Sequence, residues 1–145
     1  MLQLCDIYIH FIPIVTVMAN NQCPTIRFIR SSNQGSALSA AFAQMYKDET
    51  LVDVTLSCGN HQVRAHRLVL SACSPYFRNM FEKQANPFLY PIVNVDNIYI
   101  EDLKLILEFM YRGEVLIPPE QVANVIRCAT TLEVDGFPTD MSIVQ

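Results

Sequence analysis

A strict two-residue alternation over Leu51 to Ser57, closed by a tight turn, constrains this chain more than any other feature. Val52, Val54 and Leu56 fall on one face, and Asp53, Thr55 and Ser57 on the other, which is the pattern of a half-buried strand. Gly59-Asn60 is a hairpin signal, and His61 to Ala65 returns with Val63 facing inward. A lone two-stranded hairpin is marginal in water, so the remainder of the chain must cover it. That remainder is helical in period. Leu38, Ala41, Phe42 and Met45 repeat at i, i+3, i+4 and i+7, as do Leu103, Ile106, Leu107 and Met110, and again Val122, Val125, Ile126 and Ala129.

Shorter elements fill the gaps. His66 to Cys73 is predicted as a helix carrying Leu68, Val69 and Ala72. Ser74 then caps a second helix with Pro75 at its first position, where a missing N–H does no harm. Tyr76, Phe77, Met80 and Phe81 form its apolar side, Glu82 to Tyr90 is a loop with a turn at Asn86-Pro87, and Pro91 to Val95 is a third core strand. Gly113 ends the helix of Glu101 to Arg112, and Glu114 to Ile117 is short and extended. Pro118-Pro119 opens the last helix and Asp135-Gly136 closes it. Ahead of everything, Ile26 to Arg30 is a short strand candidate. The expected fold is α+β, a small mixed sheet with a cluster of helices.

Composition narrows the function. The chain has 145 residues, 51% hydrophobic and only 17% charged, against roughly 25% charged in ordinary soluble domains. One domain of this size holds a sizeable core without a metal or disulfide, yet the apolar surplus calls for an association surface. Ten basic against fourteen acidic residues leave no concentrated cationic face for phosphates, so direct nucleic-acid binding is not expected. The four glycines, at 35, 59, 113 and 136, are too scattered for a phosphate cradle. Five cysteines (5, 23, 58, 73 and 128) include no Cys-x-x-Cys pair and suit a reducing compartment.

Leu2 to Val17 is apolar but is interrupted by Asp6, His10 and Pro13, with no Lys or Arg ahead of it. It is a poor secretory signal and too broken for a membrane span of about 20 residues. Residues 1–17 read either as an extension outside the domain, with Met18 an ordinary start, or as an added apolar strand. Residues 1–24 are therefore assigned to an N-terminal extension, 25–137 to the domain and 138–145 to a tail, with Asn20 to Pro24 as a polar linker.

Four groupings could carry chemistry. Cys58, His61, His66 and Cys73 have zinc-binding side chains, but the last two lie at opposite ends of a helix, about 10 Å apart in rise. Ser71, Cys73 and Ser74 lie near His66 in sequence, with no Gly-x-Ser-x-Gly elbow and no group to orient the imidazole. Neither grouping reads as a site; no catalytic residue, metal or cofactor is expected. Asp53 interrupts an apolar strand and needs either a partner, with Arg67 within reach, or solvent. The stripe of Leu38, Ala41, Phe42 and Met45 is either core or an association face.

Leu51-Val52-Asp53-Val54-Thr55-Leu56, followed by Ala65-His66-Arg67-Leu68-Val69-Leu70-Ser71-Ala72-Cys73-Ser74-Pro75-Tyr76-Phe77, resembles a BTB/POZ domain. Leu103 through Glu108-Phe109-Met110-Tyr111-Arg112-Gly113-Glu114-Val115, and Ala129 through Leu132-Glu133-Val134-Asp135-Gly136-Phe137, resemble later parts of the same family. Within it, Ser71 to Phe77 and Phe109 to Val115 look most like the insect Tramtrack-type domains. Ser31 stands where that subgroup carries Trp in its first strand.

The resemblance implies the BTB/POZ fold and homodimerisation, with assembly to higher oligomers open. First helices pack together and N-terminal strands are exchanged, which assigns Ile26, Phe28, Leu38, Ala41, Phe42 and Met45 to a dimer interface. The family's charged pocket falls on Asp53 and Arg67. It further implies a nuclear transcription or chromatin regulator that recruits co-regulators or related BTB proteins, touches neither DNA nor membrane through this domain, and is not an enzyme. The alternative is a substrate adaptor for a cullin-RING ubiquitin ligase. Such adaptors carry BACK, Kelch or MATH domains, which no segment here resembles.

Overall fold

The computed structural model describes residues 33–84, 86 and 89–139, together with the strand backbones of 14–17 and 27–30. Its elements in chain order are β1 (Ile14–Val17), β2 (Arg27–Arg30), α1 (Gln34–Lys47), β3 (Val54–Cys58), β4 (His61–Ala65), α2 (Arg67–Cys73), α3 (Pro75–Glu82), β5 (Ile92–Asn94), α4 (Ile100–Arg112) and α5 (Val122–Thr131). The chain divides into two compact units, Met1–Leu38 and Ser39–Gln145, the division falling inside α1.

In the first unit β1 and β2 form an antiparallel pair, with Ile14 opposite Arg30 and Val17 opposite Arg27. The apolar segment ahead of Met18 thus contributes a strand at Ile14–Val17. Residues 1–13, the linker at 20–24 and Ile26 lie outside the described residues, as do Cys5, Cys23 and Pro87.

The second unit holds a three-stranded sheet of order β4-β3-β5. β4 runs antiparallel to β3 through the Gly59-Asn60 turn, pairing Val54 with Ala65 and Cys58 with His61. β5 lies parallel to β3, with Leu56 opposite Val93. A parallel neighbour requires a crossover, and α2 and α3 supply it. Val54, Leu56, Leu70, Phe77, Leu103, Ile106, Leu107 and Val125 are wholly buried. The two stripes read on α4 and α5 face this centre as expected.

Ser74 ties the crossover together. Its hydroxyl accepts the Phe77 N–H at 3.2 Å, capping α3, and donates to the Leu132 carbonyl at 2.6 Å. The Asp135 N–H reaches the Cys73 carbonyl at 2.9 Å. The α2–α3 junction is therefore fastened to the chain leaving α5.

Four expected features are displaced. The strand begins at Val54 rather than Leu51, because Glu49 (φ 49°) and Leu51 (φ 56°) turn the chain as it leaves α1. The buried side of α2 is Val69 and Leu70, while Leu68 is 68% exposed; at seven residues the helix is too short for its period to select a face. The last helix starts at Val122, after Pro118–Gln121 makes a turn of its own. It ends at Thr131, ahead of Asp135-Gly136, because Glu133 (φ 50°) takes the left-handed position and the Val134 N–H closes on the Ala129 carbonyl. Gly113, at φ 77°, ends α4 as predicted.

Candidate functional site: the face of α1 and the anchor beneath it

No residue of α1 is buried. Leu38 is half exposed and Ala41 exposed, while Phe42 and Met45 are partly covered. The adjoining side of the helix makes the contacts. The Ser39 hydroxyl donates to the Tyr111 carbonyl at 3.1 Å, and the Tyr46 ring stacks on the Tyr111 ring at 4.4 Å between centroids. An amphipathic helix is thus held along its Ser39–Tyr46 side, with Leu38 and Ala41 open to solvent and Phe42 and Met45 at the margin.

The anchor is Tyr111, near the end of α4 and 2% exposed. Its hydroxyl accepts the backbone N–H of His66 at 2.9 Å and meets His66 Nδ1 at 2.6 Å. His66 Nε2 lies 2.8 Å from the Thr50 carbonyl. A carbonyl only accepts, so Nε2 carries the proton and Nδ1 accepts from the phenol. Every polar group in this buried chain has a partner. Burial pushes the Tyr111 phenol well above its ordinary range, against the opposing effect of the His66 N–H. Burial also raises Tyr46, helped by the carboxylates of Glu49 and Glu108. Both phenols stay protonated.

His66 cannot serve as a base for Cys73. Both ring nitrogens are engaged, and the Cys73 thiol contacts the Met110 carbonyl at 3.5 Å. Desolvation raises the Cys73 thiol, with Asp135 adding to it, so the nucleophilic thiolate is disfavoured. Cys58 is buried at the end of β3 while His61, opposite it, is exposed. Among the described residues no group of three or more His, Cys, Asp or Glu side chains could hold a metal ion. No helix among them is long and apolar enough to cross a membrane.

Asp53 is exposed. Its Oδ1 accepts the backbone N–H of Arg67 at 2.7 Å, satisfying one of the free donors at the start of α2. His66, the residue before the helix, makes no side-chain cap of its own. The Arg67 guanidinium lies 5.1 Å from the centre of the Phe81 ring. Of the two readings left open for Asp53, the chain shows a solvent-facing carboxylate, bonded to the backbone at the start of α2.

A family model for the BTB/POZ domain matches residues 42–142. The chain belongs to the BTB/POZ family. It is 41% identical to protein bric-a-brac 2 of Drosophila melanogaster over 109 residues, which is 75% of this chain and 10% of that protein. It is 40% identical to the alpha isoform of protein tramtrack from the same organism, again over 109 residues, covering 75% of this chain and 13% of that one. The BTB domain of zebrafish PATZ1 shares the fold, with a TM-score of 0.62 and 24% identity over 71% of this chain and 83% of that one. The chain spans about a tenth of the length of the curated relatives it matches.

In this BTB/POZ domain, then, Leu38, Ala41, Phe42 and Met45 share one helix. Ile26 lies outside the described residues, and Phe28 sits in β2 opposite Thr16. Sequence reasoning did not single out Tyr111, Tyr46 or Ser39. Tyr111 follows directly on the Met110 that completes the α4 stripe, and only the position of His66 against it shows why a phenol is needed there.

Proposed function

We propose that this chain is the homodimerisation domain of a nuclear transcription or chromatin regulator and that it recruits co-regulators. The observation that carries the reading is the outward apolar stripe of α1, on a helix without a single buried residue. A second copy laying its α1 against this one removes both stripes from water, and the two-fold operation makes one patch serve both sides.

A stripe of four residues is small against the roughly 800 Å² per partner of a stable interface. Strand exchange supplies the remainder. Residues 114–117 lie in neither a helix nor a strand of this chain, with Val115 and Ile117 half-buried against the core and Leu116 93% exposed. Among the described residues no backbone hydrogen bond engages this segment. It is an open edge of strand length, and β2 of the second copy is the strand to fill it. Ile26, Phe28, Leu38, Ala41, Phe42 and Met45 form the interface, with Asp53 and Arg67 in an adjoining charged pocket and the domain running over 25–137.

Pairing two regulator chains raises the local concentration of whatever modules they carry, and so their avidity for paired targets. The domain then acts on DNA occupancy without touching DNA. Light scattering on the purified chain tests the reading: the mass of two chains is expected, and a single-chain mass at high concentration overturns it.

A further inference from the structure

We infer that β1, the strand before the linker, is the outer strand of a three-stranded sheet between subunits, in which β2 is sandwiched between β1 of its own chain and residues 114–117 of a second copy. The inference rests on the dimer reading and deepens it. Each strand has two edges, and β1 occupies one edge of β2 over four paired positions, Ile14–Arg30 to Val17–Arg27. The second edge of β2 carries no strand among the described residues. It lies in sequence just ahead of α1, the helix with the outward stripe.

Charge selects the occupant of that edge. β2 reads Arg-Phe-Ile-Arg, and the open segment reads Glu-Val-Leu-Ile. Antiparallel pairing sets Arg30 at the position opposite Glu114, and parallel pairing sets Arg27 there. In either direction opposite charges meet at one end and apolar residues pair at the two central positions, with the remaining Arg opposite Ile117.

The need for β1 follows from length. A four-residue strand delivered alone to another subunit leaves its far edge of N–H and C=O groups facing water, and a two-stranded ribbon is marginal. β1 closes that edge. Its residues, Ile14, Val15, Thr16 and Val17, are all β-branched and uncharged, the composition suited to a paired strand. The segment ahead of Met18 is by this account part of the assembly.

The test uses the full chain. The double variant Val15→Pro/Thr16→Pro removes two backbone donors from β1 and is expected to raise the dimer dissociation constant about tenfold or more. Amides of 114–117 should lose hydrogen-exchange protection in step, while the helical signal in the far-UV circular dichroism of the dissociated chain is kept. Should the proline variant misfold, Ile14→Gly/Thr16→Gly weakens the same strand more gently, and the same rise, smaller, is expected. An unchanged dissociation constant in a folded variant overturns the role of β1 while the dimer reading stands. A wild-type chain that stays monomeric overturns the dimer itself, and β1's place in it.

Discussion

Tyr111 carries two buried hydrogen bonds on one oxygen. Its hydroxyl receives the His66 N–H and engages Nδ1, while its ring receives Tyr46. Tyr111→Phe keeps the ring and the stack but leaves a buried N–H and a ring nitrogen without partners. A loss of about 2–4 kcal/mol is expected, read as a lower urea midpoint; a change under a few tenths would mean water replaces the phenol. Asp53 shows the opposite balance. An exposed carboxylate that caps a helix through one N–H is worth about 1 kcal/mol, so Asp53→Ala should shift the same midpoint only modestly. A loss of 3–5 kcal/mol, typical when one side of a buried ion pair is removed, would mean that the carboxylate is covered in the assembled protein.

Among the elements, α4 combines the clearest stripe with a buried carboxyl. Asp102 sits in its first turn, 3% exposed, beside Glu101 on its own helix and facing Arg127 and Cys128 of α5. Desolvation raises its carboxyl above the ordinary range, Glu101 raises it further, and Arg127 opposes both. With the folded-state value above the unfolded one, the native chain binds the proton more tightly. The stabilisation from that proton is complete below the unfolded carboxylate pKa and is lost as pH rises through the folded one. Asp102→Asn, which cannot ionise, should therefore melt higher than the parent at neutral pH. The gap should close toward pH about 3.5, where both side chains are neutral. Equal melting temperatures at neutral pH would show that the helix N-terminus compensates fully for the burial.

At the scale of the molecule, α1 is fastened along one side only, through Ser39 and Tyr46 to Tyr111. The apolar stripe beside that attachment is the face we propose a second chain covers. Phe42→Asp places a charge in the middle of that stripe and should turn a dimer into monomer or aggregate by light scattering. Because Phe42 is only partly covered within one chain, the fold itself should survive, with circular dichroism close to the parent's. A soluble dimer of unchanged affinity would move the interface elsewhere.

Much of this was legible in the residues alone. Period-two alternation around Gly59-Asn60 determined the β3–β4 hairpin, and Ser74-Pro75 determined the start of α3. The stripes on α4 and α5 determined which faces form the core. These are local facts, set by where side chains point along a strand or a helix. Whether the equally regular stripe on α1 was core or surface could not be read that way, because amphipathicity specifies a face and not what covers it. The tertiary structure decided it by bringing Tyr111 beneath Ser39 and Tyr46. It likewise put Asp53 in solvent at the start of α2, since the left-handed turn at Glu49 and Leu51 sets where the strand begins. Contacts between residues far apart in sequence depend on how elements pack, and no periodicity within one element encodes them.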